Sequence, residues 1–234
     1  MVDFNLIPTQ KFNEQLAKGA LREGSKQLIS RVIFNIGKIN QEIGDFLVST
    51  FNETPVVAAL KGQTSEDLPA HFGLTDSQAI GLVEGMSQII RESVQIESKI
   101  IKNKAIISIR AIHADFAAFL TLPGASYISH GAGGNDILIP VMEWMLIDPN
   151  IDIGQAAYDI VFNGDFGGKF DAAIHKVSRS GRAIMIELEK LGGSSGYVLP
   201  EIVRGGLGNN FIEFAIRQPG IARKTIEIVV GSVL

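Results

Sequence analysis

From Gln27 to Phe51, apolar side chains return at three- and four-residue steps: Ile29, Val32, Ile33, Ile36, Ile39, Ile43, Phe46 and Leu47. Asn35, Lys38, Gln41, Glu42 and Asp45 fill most of the other face, so the spacing predicts one long amphipathic helix. Gly37 and Gly44 each weaken such a helix by about 1 kcal/mol relative to alanine. They mark either a close approach by a neighbour or a bend. A shorter helix is predicted over Phe12 to Arg22, with a break near Gly24-Ser25.

Beyond a turn at Glu53-Thr-Pro55, the run Val56-Val-Ala-Ala-Leu-Lys-Gly62 predicts a short helix stopped by its glycine. Residues 65–73 read as one more helical turn. Thr75 or Asp76 then caps a helix reaching about Glu92, with Ile80, Val83, Met86, Ile89 and Ile90 turned inward. The period changes to two near residue 93. Strands are predicted at Val94 to Glu97 and Ala105 to Ile112, with Ile107, Ile109 and Ala111 on one face and Ser108, Arg110 and Ile112 on the other.

A short helix over Ala114 to Thr121 would bury Phe116, Phe119 and Leu120. Further strands are expected at Tyr127 to Ser129, Ala157 to Phe162 and Arg182 to Leu188. Asn209 or Asn210 caps Phe211 to Gln218, and Pro219 opens a last helix reaching Val230. Helices, then strands, then helices predict an α+β fold rather than alternating βαβ units. The expected architecture is long N-terminal helices packed on a small mixed or antiparallel sheet, followed by C-terminal helices. With no repeat or linker in view, residues 1–234 are read as a single domain, with a separate arm of N-terminal helices as the alternative. Its parts are a mainly helical 1–92, a β-rich core at 93–190, and a loop with C-terminal helices at 191–234.

Composition adds a reason to expect assembly. The chain has 234 residues, 46% of them hydrophobic and only 20% charged, which supports a full core without staples. No stretch approaches about 18 uncharged apolar residues, so no membrane span is expected. The first residues lack the basic-then-apolar order of a secretory signal. A subunit interface is the simplest outlet for the surplus apolar surface, ahead of an unusually large core.

Net charge is -4, with 21 Lys+Arg scattered among 25 Asp+Glu, and no basic run of the kind that neutralises phosphates. Direct nucleic-acid binding is disfavoured. A ring through which DNA slides stays compatible, because an acidic lining repels DNA rather than holding it. The chain has no cysteine, which removes disulfides, thiol nucleophiles and cysteine metal ligands together. That suits assembly in a reducing cytoplasm.

Candidate chemistry is sparse. Three glycine clusters stand out: His130-Gly-Ala-Gly-Gly-Asn-Asp136, Gly192-Gly-Ser-Ser-Gly196 and Gly205-Gly-Leu-Gly-Asn209. None carries the Lys-Ser/Thr that opens the helix after a phosphate loop, so they read as loops and no cofactor is expected. His71, His113, His130 and His175 lack the close pairing of zinc or iron ligands, even with Asp115 and Asp136 nearby, and no metal is expected. Glu143 sits inside an apolar run. It reads as an acid of raised pKa or, in the favoured reading, as the partner of Arg110 or Arg182. Ser178, Ser180, Ser194 and Ser195 lack a nucleophile elbow. No catalytic residue is assigned, and the chain is read as non-enzymatic. Trp144, among Met142, Met145, Leu146 and Ile147, is a core residue or an interface anchor.

Several segments in order resemble one family. They are Val56 to Gly62, Asp67-Leu-Pro-Ala-His-Phe-Gly-Leu74, Ala114-Asp-Phe-Ala-Ala-Phe-Leu120, Ile139-Pro-Val-Met-Glu-Trp-Met-Leu146, Ser178-Arg-Ser-Gly-Arg-Ala-Ile-Met185 and Asn210-Phe-Ile. Together they resemble the neck and tail-completion (head-tail connector) proteins of tailed bacteriophages. The likeness spans roughly residues 55 to 217. The chain departs from the family pattern at Val141, where a tryptophan is usual, and at Gly196 to Pro200, where a tryptophan-proline-like stretch is usual.

The resemblance implies a virion structural subunit at the head-tail junction, assembled in the host cytoplasm. It implies a homo-oligomeric ring, often six-fold, around the DNA channel, with head-connector and tail proteins as further partners. A tail-tube, tail-terminator or sheath-associated role is the alternative, and a soluble ligand-binding enzyme using the glycine loops comes after it. A ring needs two different patches on each subunit. Candidate interface residues are Ile36 and Ile43 on the long helix, Trp144, Ser178, Arg179, Ser180 and Arg182, and Phe211 in the C-terminal helices.

Overall fold

The computed structural model describes residues 10–111, 116–130, 136–147, 175–177, 184–186, 201–203 and 208–233. Helix α1 spans Gln10–Phe34 and α2 spans Ile36–Asn52. The expected break at Gly24-Ser25 is absent, and the helix is interrupted at Asn35 instead. There the ladder persists, Asn35 N–H donating to Arg31 O at 3.0 Å and Ile39 N–H to Asn35 O at 3.0 Å. The junction is a perturbed turn and not a gap. Gly24 lies where the helix is exposed and nothing crowds it, so its weak propensity is tolerated.

Three caps fix the next elements. Thr54 accepts from Val57 N–H and Pro55 opens α3 (Pro55–Leu60), which Gly62 terminates at a φ of +67°. Asp67 accepts from Ala70 N–H to start α4 (Leu68–His71). Thr75 forms a capping box with Gln78 at the start of α5 (Asp76–Glu92). The buried face of α5 is Ala79, Leu82, Val83, Met86 and Ile90. Ile80, expected inward, falls outside that arc and is 46% exposed.

Strands β1 (Gln95–Ile101) and β2 (Lys104–Arg110) form an antiparallel hairpin. Its two-residue turn places Lys102 at φ 49° and Asn103 at φ 63°, the geometry of the twist-matched hairpin turns. Ile107 and Ile109 turn toward the core as their alternation predicts. Helix α6 (Ala117–Leu120) buries Phe116 and Phe119, whose ring centroids are 5.7 Å apart. A second antiparallel pair joins β3 (Tyr127–His130) to β4 (Asp136–Ile139), and a third joins β5 (His175–Val177) to β6 (Ile184–Ile186). The fold is α+β, as its order of patterns predicts. Its strands form three separate two-stranded pairs among the described residues, where one small sheet was expected. The strand expected at 157–162 lies outside those residues.

The apolar run after β4 is a helix, α7 (Val141–Leu146), opened by Pro140. Asn210 caps α8 (Phe211–Ile216) through a capping box with Glu213, and α9 spans Ile221–Val233. One cluster of buried residues runs through these elements from Val32 to Val233. Phe51 of α2 meets Phe211 of α8 at 6.1 Å between ring centroids. The Asn210 side chain donates to Leu146 O at 2.9 Å, which ties α8 to the end of α7.

The two glycines of α2 separate cleanly. A Cβ at Gly44 would lie 2.8 Å from the backbone oxygen of Arg91, so Gly44 is the point where α2 and α5 touch backbone to backbone. Gly37 has nothing within 4 Å and stands beside the Asn35 junction.

Candidate functional site

Among the described residues, two larger surfaces and one smaller cleft are left unfilled by this packing. The first is the N-terminal half of α1. Ser25 Oγ donates to Asn103 O at the hairpin tip, 2.8 Å away, and from there inward α1 lies against β1, β2 and α9. Ahead of Ser25, every residue from 14 to 24 is exposed. At 1.5 Å per residue, the helix runs about 22 Å beyond Ser25 to Gln10.

This arm is amphipathic on its own axis. Leu16 and Ala20, and Ala17 and Leu21, are i,i+4 pairs that fall on one strip. Leu16 is 62% and Leu21 64% exposed. The inward residues of the second half, Ser25, Leu28, Ile29 and Val32, define a different face. With 100° per residue, the two arcs are centred about 100° apart. The arm strip is therefore not an extension of the surface that packs on the chain's own core.

The second surface is a groove of about 380 Å³ whose floor is Ile43 and Leu47 of α2. Ile107 and Ile109 of β2 form one wall, and Ile221 and Ile226 of α9 the other. Ala222, Ile226 and Val230 make an exposed i,i+4 stripe along the outside of α9, with Ile226 61% exposed. The far end of α9 is held at the α1–α2 junction. Arg31 donates to Val233 O at 2.8 Å, and the Asn35 amide donates to Ser232 O at 2.9 Å. A cation and an amide thus satisfy carbonyls that a helix C-terminus leaves unpaired. A smaller cleft of about 310 Å³ lies between Thr54, Val56, Ile202 and Phe214.

The interface residues proposed from sequence are placed unevenly. Ile43 is 1% and Phe211 9% exposed, so both are buried within the chain, Ile43 at the floor of the groove. Ile36 and Trp144 are half-buried, and Trp144 packs against the core. Ser178, Arg179, Ser180 and Arg182 lie outside the described residues. The loops at 131–135 and 192–196 lie outside them too, as do residues 205–207 of the third glycine cluster.

Glu143, expected within a sheet-fixing ion pair, is exposed on α7, because a helix turns one residue of an apolar run to solvent. Arg110 instead pairs with Glu97 across the hairpin at 3.5 Å. Among the histidines, His71 is half-buried, and its pKa is lowered chiefly by that burial against the opposing pull of Glu66 and Asp67. Among the described residues no group of three or more His, Asp or Glu side chains converges as a metal site, and no helix is long and apolar enough to cross a membrane.

No family model, curated protein or solved structure matches this chain. Its own surfaces carry the functional reading. The sequence predicts a short helix over Phe12 to Arg22 and leaves the N-terminal helices open as a separate arm, without marking its apolar strip. The signal was present in the paired i,i+4 positions Leu16/Ala20 and Ala17/Leu21 and in their angular offset from Leu28 and Val32.

Proposed function

We propose that this chain is a non-enzymatic structural subunit of a tailed-phage virion, assembling as an oligomeric ring at the head-tail junction around the DNA channel. The observation that supports assembly is the arm: a helix exposed at every position from 14 to 24 that nevertheless carries a coherent apolar strip. The groove beside α9 is a different surface. Two unlike patches on one subunit are what a closed cyclic assembly requires. The head-tail location rests on the resemblance carried by residues 55 to 217.

The chain's net charge of -4 agrees with a channel that lets DNA slide. In this reading the protein joins neighbouring copies and adjacent head and tail layers, and performs no bond chemistry. The test is its position in purified particles. Antibody-gold labelling confined to the neck is the expected result. Labelling along the tail would favour the tail-tube or sheath role, and absence from particles would overturn the reading.

A further inference from the structure

We propose that α1 and the tip of the β1–β2 hairpin form one cationic surface that holds the phosphate backbone of duplex DNA without reading its sequence. The inference stands apart from the ring reading, since a phosphate-holding surface works in a monomer or in an assembly.

The chain has no basic run because the fold gathers its cations from two segments. The bond from Ser25 Oγ to Asn103 O joins them across 78 residues of sequence. Lys102 and Lys104 flank Asn103 in the turn, and Lys99 shares a hairpin face with Lys104. On α1, Lys18, Arg22 and Lys26 follow one another at i,i+4 steps beside Ser25. With 100° per residue they occupy an arc of about 80° that begins about 20° from Ser25. All six side chains are exposed. Measured along helix and strands, each lies within about 13 Å of the Ser25–Asn103 contact.

The carboxylates nearby do not cancel this charge. Glu23 pairs with Lys26 at 3.6 Å, and Glu97 with Arg110 at 3.5 Å. Lys18, Arg22, Lys99, Lys102 and Lys104 have no ion pair among the described residues. With every acid counted, α1 carries +3 and residues 95–110 carry another +3. The rest of a chain whose net charge is -4 therefore carries -10. A polyanion is drawn to this one face and repelled by the remainder.

Spread and composition point to duplex DNA as the partner. A lone phosphate needs donors converging in a pocket, whereas these cations stand along an open surface. One i,i+4 step rises about 6 Å, close to two phosphate intervals on one DNA strand. Neither Glu14 to Ile33 nor residues 95–110 include an aromatic side chain, so single-stranded bases find no stacking platform. Leu16 and Leu21 point about 100° or more away from the centre of the cationic arc, so a bilayer drawn to the lysines would not receive them.

The test is fluorescence anisotropy of the full chain with a labelled, mixed-sequence duplex across a salt series. Five phosphate contacts predict a log–log slope of about -4.5, so Kd should rise about 500-fold between about 50 and 200 mM salt. Lys102→Ala with Lys104→Ala should reduce the slope by about 2, as should Lys18→Ala with Arg22→Ala. All four side chains are exposed, so far-UV circular dichroism should stay unchanged. Arg223→Ala with Lys224→Ala removes the same charge from exposed positions on α9 and should leave the slope as it is. Equal losses from all three pairs would mean attraction to the chain at large and would overturn the surface. So would no binding at the lower salt, tighter binding to the single strand of the same sequence, or binding to mixed phosphatidylcholine–phosphatidylserine vesicles in place of the duplex.

Discussion

Adding one methyl group at Gly44 sets two known effects against each other. Gly44 is in the interior of α2, where alanine should gain about 1 kcal/mol in helix propensity. The added Cβ, however, would stand 2.8 Å from Arg91 O, 3.0 Å from Arg91 Cγ and 3.1 Å from Arg91 Cα. The nearest of these is backbone in the last turn of α5, so no rotamer change removes the clash. The two helices must part by several tenths of an ångström, which also strains the 2.7 Å pair between Arg91 and Asp45. That pair is about half exposed and contributes little by itself.

Overpacking of a close-packed contact costs about 1–3 kcal/mol. Gly81, inside α5 with nothing within 4 Å, supplies the control, because alanine there gains propensity without a clash. The propensity terms cancel between the two variants. Gly44→Ala should therefore unfold about 1–3 kcal/mol more easily than Gly81→Ala, a gap of about 2–4 °C in melting temperature per kcal/mol for a chain of this size. Gly85→Ala should fall between them, since its Cβ would meet only the rotatable end of Leu122, at 2.6 Å. Urea titrations at one fixed protein concentration read all three. A Gly44→Ala protein as stable as Gly81→Ala would refute the α2–α5 contact.

Three further outcomes follow from the same packing. Burial lowers the His71 pKa below its ordinary 6.5, so the neutral ring is the form the fold prefers. Its contribution is complete above pH 6.5 and is lost as pH falls toward the folded-state value, so replacing it with glutamine should flatten part of the wild-type loss of melting temperature below pH 6.5. An equal slope in both proteins would contradict this. Asn210→Ala removes the α8 cap and leaves the buried Leu146 carbonyl without this donor, which should cost about 2–3 kcal/mol by denaturant unfolding. Asn35→Ala should cost about 1 kcal/mol and speed amide exchange in the last turn of α9, and unchanged exchange there would separate Asn35 from that helix end.

The sequence made local structure legible where one residue type had one physical use. Thr75, Asn210, Pro55 and Gly62 set helix ends by capping, φ restriction or left-handed backbone, and each boundary falls within a few residues of its prediction. Periodicity was less decisive where it depended on a neighbour. Ile33 and Ile80 share the apolar pattern of their helices yet are 57% and 46% exposed, because the packed arc is chosen by adjoining elements. The interruption at Asn35 coincides with a contact nearly two hundred residues away, with Ser232, which no local pattern encodes.

The site was less visible than the fold for a related reason. Ile43 and Phe211 were attractive as interface residues because they are apolar and regularly spaced, and that same property puts them in the core. The arm was legible only once the packed face of α1 was known, since its meaning lies in an angular offset between two halves of one helix. Helix α1 holds five Lys and Arg against two Glu, a balance of +3 that leaves -7 on the rest of the chain beneath a net charge of only -4. Total charge carries no information about which element holds it.

Light scattering on the purified chain, with negative-stain images of the same fractions, decides whether it closes into a ring as proposed. The predicted result is a discrete mass several times 25.2 kDa and closed rings with a central opening. A stable 25.2 kDa monomer that remains one when mixed with phage head and tail components would contradict it.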